Sequence, residues 1–280
     1  MNLLSWNCRG LGNPRSVNAL KEVIRIEKPK IVFLMETKLD RDWMKNVGDQ
    51  CGFKQGLIVP SINSSGGLAL LWKNDVKVNL LKYSLSNIDV EVFCGEDVGW
   101  WHLTGFYGNP VTVKRVESWC LLKVLSGLSQ LPWLVIGDFN EIKCQSEKEG
   151  GAVRSAQQMQ KFVDTINWCG LRDLGFVGPK FTWLYQQRDG VQIRERLDRG
   201  LATVDWLDKF PMARLYHCTS SVSDLCPLSL HLKERKKTQC VGRSFRFEAM
   251  WLKEASYEEV VTSAWEEATI NGLDFPMVEC

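Results

Sequence analysis

The sequence predicts an α/β fold: two packed mixed β-sheets flanked by helices, a four-layer α/β sandwich. Three observations lead there. Short, nearly all-apolar runs such as KIVFLME and WLVI read as central strands, because strands covered on both faces lose the alternation of half-exposed ones. Helix-periodic segments interrupt these runs along the chain, which sets helices outside the sheets. The 280 residues, 45% of them hydrophobic, suffice for one large domain with an extensive core.

Residues 2–8 open the chain as a strand. Asn13 caps a helix that Pro14 starts, Val17, Leu20 and Ile24 form its apolar stripe, and Pro29 ends it. KIVFLME (30–36) is the second buried strand, and 41–51 is helical. A β-rich stretch follows: GGLALLW (66–72), VKVNLLKYS (76–84), NIDVEVF (87–93) and WWHLTGFYG (100–108), punctuated by Gly, Asn and Asp. Residues 116–128 return to helical spacing before WLVI (133–136), which runs into GDFN.

Ser155 and Gln158 predict a capping box for the helix 155–168, with Met159, Phe162, Val163 and Ile166 along one face and Gly170 beyond its end. KFTWLY (180–185) and 192–201 read as a hairpin, and 214–218 and 227–232 as the last strands. Basic residues around 233–237 mark a linker, dividing the chain into a domain 1–233 and a segment 234–280. In that segment, helix 256–268 places Tyr257, Val260, Val261, Ala264, Trp265 and Ala268 on one face, which calls for a docking partner.

Composition narrows the function classes. A net charge of +2 suits nucleic acid without demanding it. Ten cysteines without any C-x-x-C or zinc spacing read as reduced, mostly buried thiols of a cytoplasmic or nuclear protein. No leader-like start and no membrane-length apolar run is present in the sequence, so no membrane partner is expected.

The chemistry lies where apolar strands stop. Asn7 ends the first strand and Glu36 the second, Asp138 and Asn140 follow WLVIG, Asp198 sits in RLDRG, and Asp224 sits in VSDL. Single strands commonly end in such residues because turns favour them. An Asp-x-Asn beside an all-apolar strand is harder to explain that way, since burying an unpaired carboxylate is costly. Together they form an oxygen-rich donor set suited to Mg²⁺, with Mn²⁺ as the alternative ion.

WNCRG (6–10), LMETK (34–38), GFYGNP (105–110), GDFNEI (137–142), FTW (181–183), RLDR (196–199) and SDLCPL (223–228) resemble, in this order, the endonuclease/exonuclease/phosphatase superfamily. That is the fold of apurinic/apyrimidinic endonucleases and pancreatic-type DNases. WNCRGLG is most similar to the endonuclease domain of plant non-LTR (LINE-type) retrotransposons, and residues 244–265 resemble the segment joining that domain to its reverse transcriptase.

The resemblance implies a metal-dependent hydrolase that nicks duplex DNA, acting as a monomer. By motif, Glu36 holds the metal with Asn7, and Asp224 lies beside it. Asp138 positions or deprotonates the attacking water, Asn140 binds a phosphate oxygen and Tyr107 contacts the scissile phosphate. Asn109 and Trp183 fall to phosphate and nucleic-acid contact. Trp183 and the Trp100–Trp101 pair offer stacking surfaces, although core packing is the commoner role of such residues. Lys180 and Arg194 read either as phosphate contacts or as solvated surface charge.

One position departs from the family. Ser-Asp-His is expected, and the sequence has Ser223-Asp224-Leu225. Leucine can neither donate nor titrate, and losing one such group costs on the order of 10²–10⁴ in rate. Asp198, which would orient the histidine, loses its partner. His102, His217 and His231 are the chain's only histidines, and each is expected in an ordinary structural role. The sequence therefore predicts an impaired nuclease. An inactive DNA- and metal-binding remnant and a small-molecule phosphoesterase are the alternatives.

Overall fold

The computed structural model describes residues 1–63, 65–93, 95–96, 98–186, 190, 192–218, 226–233 and 262. Contacts divide the chain into Met1–Glu234 and Arg235–Cys280. Apart from Thr262 the second unit, with the expected helix 256–268, lies outside the described residues, and so do Asp224 and Leu225.

Strand β1 (Asn2–Asn7) leads through helix α1 (Pro14–Glu27) to β2 (Ile31–Met35) and α2 (Arg41–Gln50). Then come β3 (Gln55–Val59), β4 (Leu68–Trp72), β5 (Lys77–Tyr83), β6 (Asn87–Phe93) and β7 (Trp100–Tyr107). Helix α3 (Arg115–Leu125) precedes β8 (Trp133–Asp138), the short β9 (Lys148–Glu149) and α4 (Ala156–Trp168). After these follow β10 (Leu171–Asp173), β11 (Trp183–Gln186), β12 (Gln192–Glu195), β13 (Asp198–Thr203), α5 (Val204–Lys209), β14 (Arg214–His217) and β15 (Leu228–His231).

One sheet has the order β14-β15-β1-β2-β4-β3 and the other β10-β13-β8-β7-β6-β5. At the centre of the first, β1 and β2 run parallel; at the centre of the second, β7 and β8 do the same. The inner faces supply the main core, where Phe33, Met35 and Leu70 of the first sheet cluster with Val90, Leu103 and Ile136 of the second. Burying each such side chain contributes about 1.5–3 kcal/mol. Gly105 permits the close approach of the sheets, because a Cβ there would stand 2.5 Å from the ring of Phe33.

Two outer cores complete four layers. Trp6, Val32 and Leu34 pack under Leu20 of α1 and Met44 of α2, while Phe106 and Val135 pack under Trp119 of α3 and Phe162 of α4. The helices form where their start signals stand. Asn13 accepts the Ser16 amide at 2.8 Å, and Asp40 accepts the Trp43 amide at 2.9 Å.

Four expectations need correction. The capping box at α4 is not made: no side chain caps the helix, and the Ser155 carbonyl accepts the Gln158 amide at 3.1 Å. The expected strand 192–201 is two strands, β12 pairing with β11 in a small third sheet and β13 pairing with β8. The break falls at Arg196 and Leu197, where strand pairing switches from the small sheet to β8. β3 and α5 went unforeseen, the first as a half-exposed edge strand and the second as a helix too short to show a period. Of the described thiols, Cys8, Cys51 and Cys169 are buried, but Cys120 and Cys144 are exposed.

Candidate active site

The C-terminal ends of the two central parallel strand pairs meet at one rim. Asn7 ends β1, Glu36 follows β2, Tyr107 ends β7 and Asp138 ends β8. The Asn7 Nδ2 donates both to Glu36 Oε1 at 2.9 Å and to Asp138 Oδ2 at 3.0 Å. Tyr107 Oη donates to the same Glu36 Oε1 at 2.9 Å, so one carboxylate oxygen ties the two sheets together. The other oxygen, Oε2, faces Lys38 Nζ at 3.9 Å.

Asp198 reaches this rim by the opposite route. It opens its strand instead of ending it, and because β13 runs antiparallel to β8 it lies opposite Asp138. Thr182 Oγ1 accepts the amides of Leu197 and Asp198, both at 3.0 Å, and fixes the turn into β13. Thr182 is the central residue of the FTW motif, so its hydroxyl, not only the Trp183 ring, serves the site. Asp198 Oδ2 is buried and has no hydrogen-bond partner among the described residues.

Backbone strain gathers here. Arg9, Glu36, Lys38 and Asn140 have φ of 48°, 52°, 54° and 54°, a left-handed conformation unusual for residues with a Cβ. Asn140 is held there by its own amide, which donates to Asp138 Oδ1 at 2.7 Å, and by its Nδ2, which donates to the Gly108 carbonyl at 2.9 Å. The next residue, Glu141, is clamped by Arg115 at 2.7 Å and Arg154 at 3.1 Å. Beneath it the fully buried Arg199 guanidinium bonds Glu147 at 2.8 Å, Asp173 at 3.1 Å and the Glu141 carbonyl at 3.3 Å. No motif reading found these arginines as supports of the site; charged side chains buried in pairs become visible only in three dimensions.

Burial pushes the Asp138 carboxyl up to about 6, the Glu36 charge adds to this, and the Asn7 and Asn140 hydrogen bonds oppose it. Burial, then the charge of Asp138, raises Asp198 well above the ordinary carboxylate range. Tyr107 is raised by burial and by Glu36, so it remains a donor. Cys8, beside Asn7, is pushed up to about 12 by burial and is no nucleophile.

None of the histidines bonds to this cluster. His102 pairs with Asp89 at 2.9 Å and stacks on Trp133, at the far end of β7 from Tyr107. His231 pairs with Glu27 at 2.9 Å opposite Asn2, at the far end of β1 from Asn7. His217 donates from Nδ1 to the Pro179 carbonyl at 2.6 Å, stacks on Phe176, and is lowered by burial to about 4, which keeps it neutral.

A sequence model described as the Endonuclease/Exonuclease/phosphatase family matches residues 4–207. The chain belongs to this family. Members of the endonuclease/exonuclease/phosphatase family typically depend on a divalent metal. Solved structures repeat the fold at low identity. An AP endonuclease, LMAP, of Leishmania major is 16% identical with a TM-score of 0.64, over 82% of this chain and 86% of that one. A 3'-5' exonuclease, NExo, of Neisseria meningitidis is 15% identical with a TM-score of 0.62, over 83% of this chain and 100% of that one. The endonuclease domain of TRAS1, a telomere-specific non-LTR retrotransposon, is 16% identical with a TM-score of 0.59, over 84% of this chain and 99% of that one. No curated protein sequence matches this one.

The donor set of this family member fits the metal. Among the described residues no three His, Cys, Asp or Glu side chains close around one point. Mg²⁺ asks for less: one or two carboxylates, the rest of its shell remaining water and substrate oxygen. Glu36 Oε2 takes no hydrogen bond from Asn7 or Tyr107, and the Asn7 side-chain Oδ1 accepts the Arg9 amide at 3.2 Å.

The remaining site expectations divide. Asn109 Oδ1 accepts the Val111 amide at 3.0 Å and so shapes its own turn. Trp183 is half-buried on the β11–β12 hairpin and stacks on the exposed Tyr185, centroids 5.8 Å apart. Trp101 is a core residue, whereas Trp100 is 37% exposed. Arg194 is tied to Gln192 at 2.9 Å. No helix among the described residues is long and apolar enough to cross a membrane.

Proposed function

We propose that the chain is the DNA-nicking endonuclease domain of a plant-type non-LTR retrotransposon, a Mg²⁺-dependent phosphodiester hydrolase impaired by leucine at position 225. The observation that carries this reading is the cluster in which Asn7 bridges Glu36 and Asp138 while Tyr107 shares the Glu36 oxygen. A side-chain set gathered from both sheets at the cost of left-handed backbone serves a site, since a turn needs none of it.

Glu36 and Asn7 would hold the ion, with Asp224 beside it. When bound, the ion supplies Lewis-acid polarisation of a phosphate oxygen. Asp138, raised to about 6, is ionised at neutral pH yet basic enough to take a proton from the attacking water. The second hydrogen of Asn140 Nδ2 would bind a phosphate oxygen, and Asn109 and Trp183 would contact the DNA strand. Tyr107, kept protonated by burial, would donate to the scissile phosphate once it leaves Glu36.

Asp198 supports the reading of impairment: its Oδ2 is buried with no hydrogen-bond partner among the described residues, which fits an imidazole missing from that place.

Mn²⁺ titration of the full chain by calorimetry, paired with nicking of supercoiled plasmid in Mg²⁺, tests the reading. Slow metal-dependent nicking is expected, and Glu36→Gln should lower metal affinity by about tenfold or more. Metal binding that is indifferent to Glu36 would remove the proposed site.

A further inference from the structure

A cavity of about 540 Å³ opens at the end of the sandwich opposite the catalytic cluster, within the roughly 300–1,000 Å³ of small-molecule pockets. Lys30 at its edge precedes β2 and Glu36 follows that strand, so roughly 20 Å of strand separates the two places. Its apolar lining, Val76, Phe93, Val98, Phe210 and Leu232, comes from the ends of strands in both sheets and from the end of α5. Of the charged side chains in the lining three are lysines, Lys30, Lys209 and Lys233, and one is Asp75. Asp75 is taken by Lys30. Lys209, at the end of α5, and Lys233, after β15, enter no ion pair among the described residues. The Lys77 ammonium stands over the Phe93 ring, 5.3 Å from its centre. Phe93 in turn meets the exposed Trp100, ring centres 5.4 Å apart. Trp100 begins β7 and Tyr107 ends it, so this stacking candidate of the sequence lies away from the catalytic rim.

We propose that this end of the fold binds single-stranded nucleic acid: one unpaired base enters the cavity beside Phe93, Lys209 and Lys233 hold the phosphates on either side of it, and Trp100 stacks on a neighbouring base. The site is separate from the catalytic rim and does not rest on the nuclease reading. An apolar lining takes a ring, and two unpaired lysines on different elements take anions on more than one side of that ring. A strand of nucleotides carries both at a fixed repeat, and the pairing of cations with an exposed aromatic face suits it whatever its sequence, because every base has a π-face.

Other anions fit less well. A duplex keeps its bases stacked inside and has none to insert, whereas unpaired bases can be splayed into a pocket. An anionic membrane surface would engage the lysines and leave the cavity empty. The carboxylates nearest in sequence, Glu96 and Asp208, are exposed and stand outside the lining, so the charge that the cavity itself presents is positive.

Fluorescence anisotropy of labelled oligothymidylate and oligouridylate, each of about eight residues, is the test, with the full chain in chelator so that no strand is cut. A dissociation constant on the order of 10⁻⁴–10⁻⁶ M is expected for one oligomer or both, and a preference between them assigns the ligand to DNA or RNA. Between about 50 and 200 mM salt the logarithm of the binding constant should fall with a slope of about −1.4, two phosphates' worth. Lys209→Glu with Lys233→Glu should flatten that slope and weaken binding by about tenfold or more, and Trp100→Ala should weaken it by about tenfold. Lys38→Ala, at the catalytic rim, should leave it unchanged. Binding indifferent to the two lysines or to Trp100, binding lost in Lys38→Ala, or a duplex bound as tightly overturns the proposal, and so does no binding at about 1 mM chain. Phosphatidylserine vesicles bound in place of either oligomer would identify a lipid surface and overturn it equally.

Discussion

Asp198 stands directly opposite Asp138 in the antiparallel pair of β13 and β8, and both carboxyls are buried. Each disfavours ionisation of the other, since two like charges out of water repel at short range. A fold tolerates this where another group shares the charge. Asn7 and the Asn140 amide serve Asp138, and Asp198 keeps one oxygen without a donor among the described residues.

On the proposed function, a histidine in place of leucine at position 225 would supply that donor. Leu225→His should raise the initial rate of plasmid nicking by on the order of 10²–10⁴. Adding Asp198→Asn to this variant should remove most of the gain, because the ring would lose the carboxylate that orients it. An unchanged rate in Leu225→His would show that the histidine position is not what limits this chain.

The raised Asp138 predicts a pH signature in stability. Its folded value of about 6 lies above the ordinary value of about 3.9, so the folded chain binds this proton more tightly than the unfolded one. That contribution is complete below about pH 4 and is lost as pH rises through about 6. Asp138→Asn should therefore stabilise the fold at pH 7 by about 1–3 kcal/mol and by little at pH 4, in paired urea titrations, while abolishing nicking.

Removing Arg199 should be severe. The substitution Arg199→Met leaves Glu147 with Arg196 alone and Asp173 with Arg196 and Lys143, and frees the Glu141 carbonyl next to Asn140. A loss of about 3–5 kcal/mol in urea unfolding is expected. Charge, not only shape, would be at stake, so Arg199→Lys should recover part of it.

Gly137 tests the backbone that carries the site. Its φ is 149°, and a Cβ would lie 2.0 Å from the Phe106 carbonyl oxygen of the neighbouring parallel strand. Gly137→Ala should push β7 from β8, cost about 3 kcal/mol or more in thermal unfolding, and separate Tyr107 from Asp138.

The sequence by itself determined the order and kind of most elements. An apolar run such as 31–35 and a cap such as Asn13 are local facts, written in consecutive residues. It likewise determined which chemical groups stand at the strand ends, and that leucine follows Asp224, since residue identity needs no structure. Tertiary structure alone decided that Asn7, Glu36, Tyr107 and Asp138 share hydrogen bonds, that β13 enters from the opposite direction so that its first residue faces Asp138, and that 192–201 splits between sheets. It also decided the buried arginine supports and the raised Asp138. The physical reason is that register, burial and charge repulsion depend on residues far apart in the chain, such as Asn7 and Asp138, 131 positions apart, and no local pattern encodes that distance.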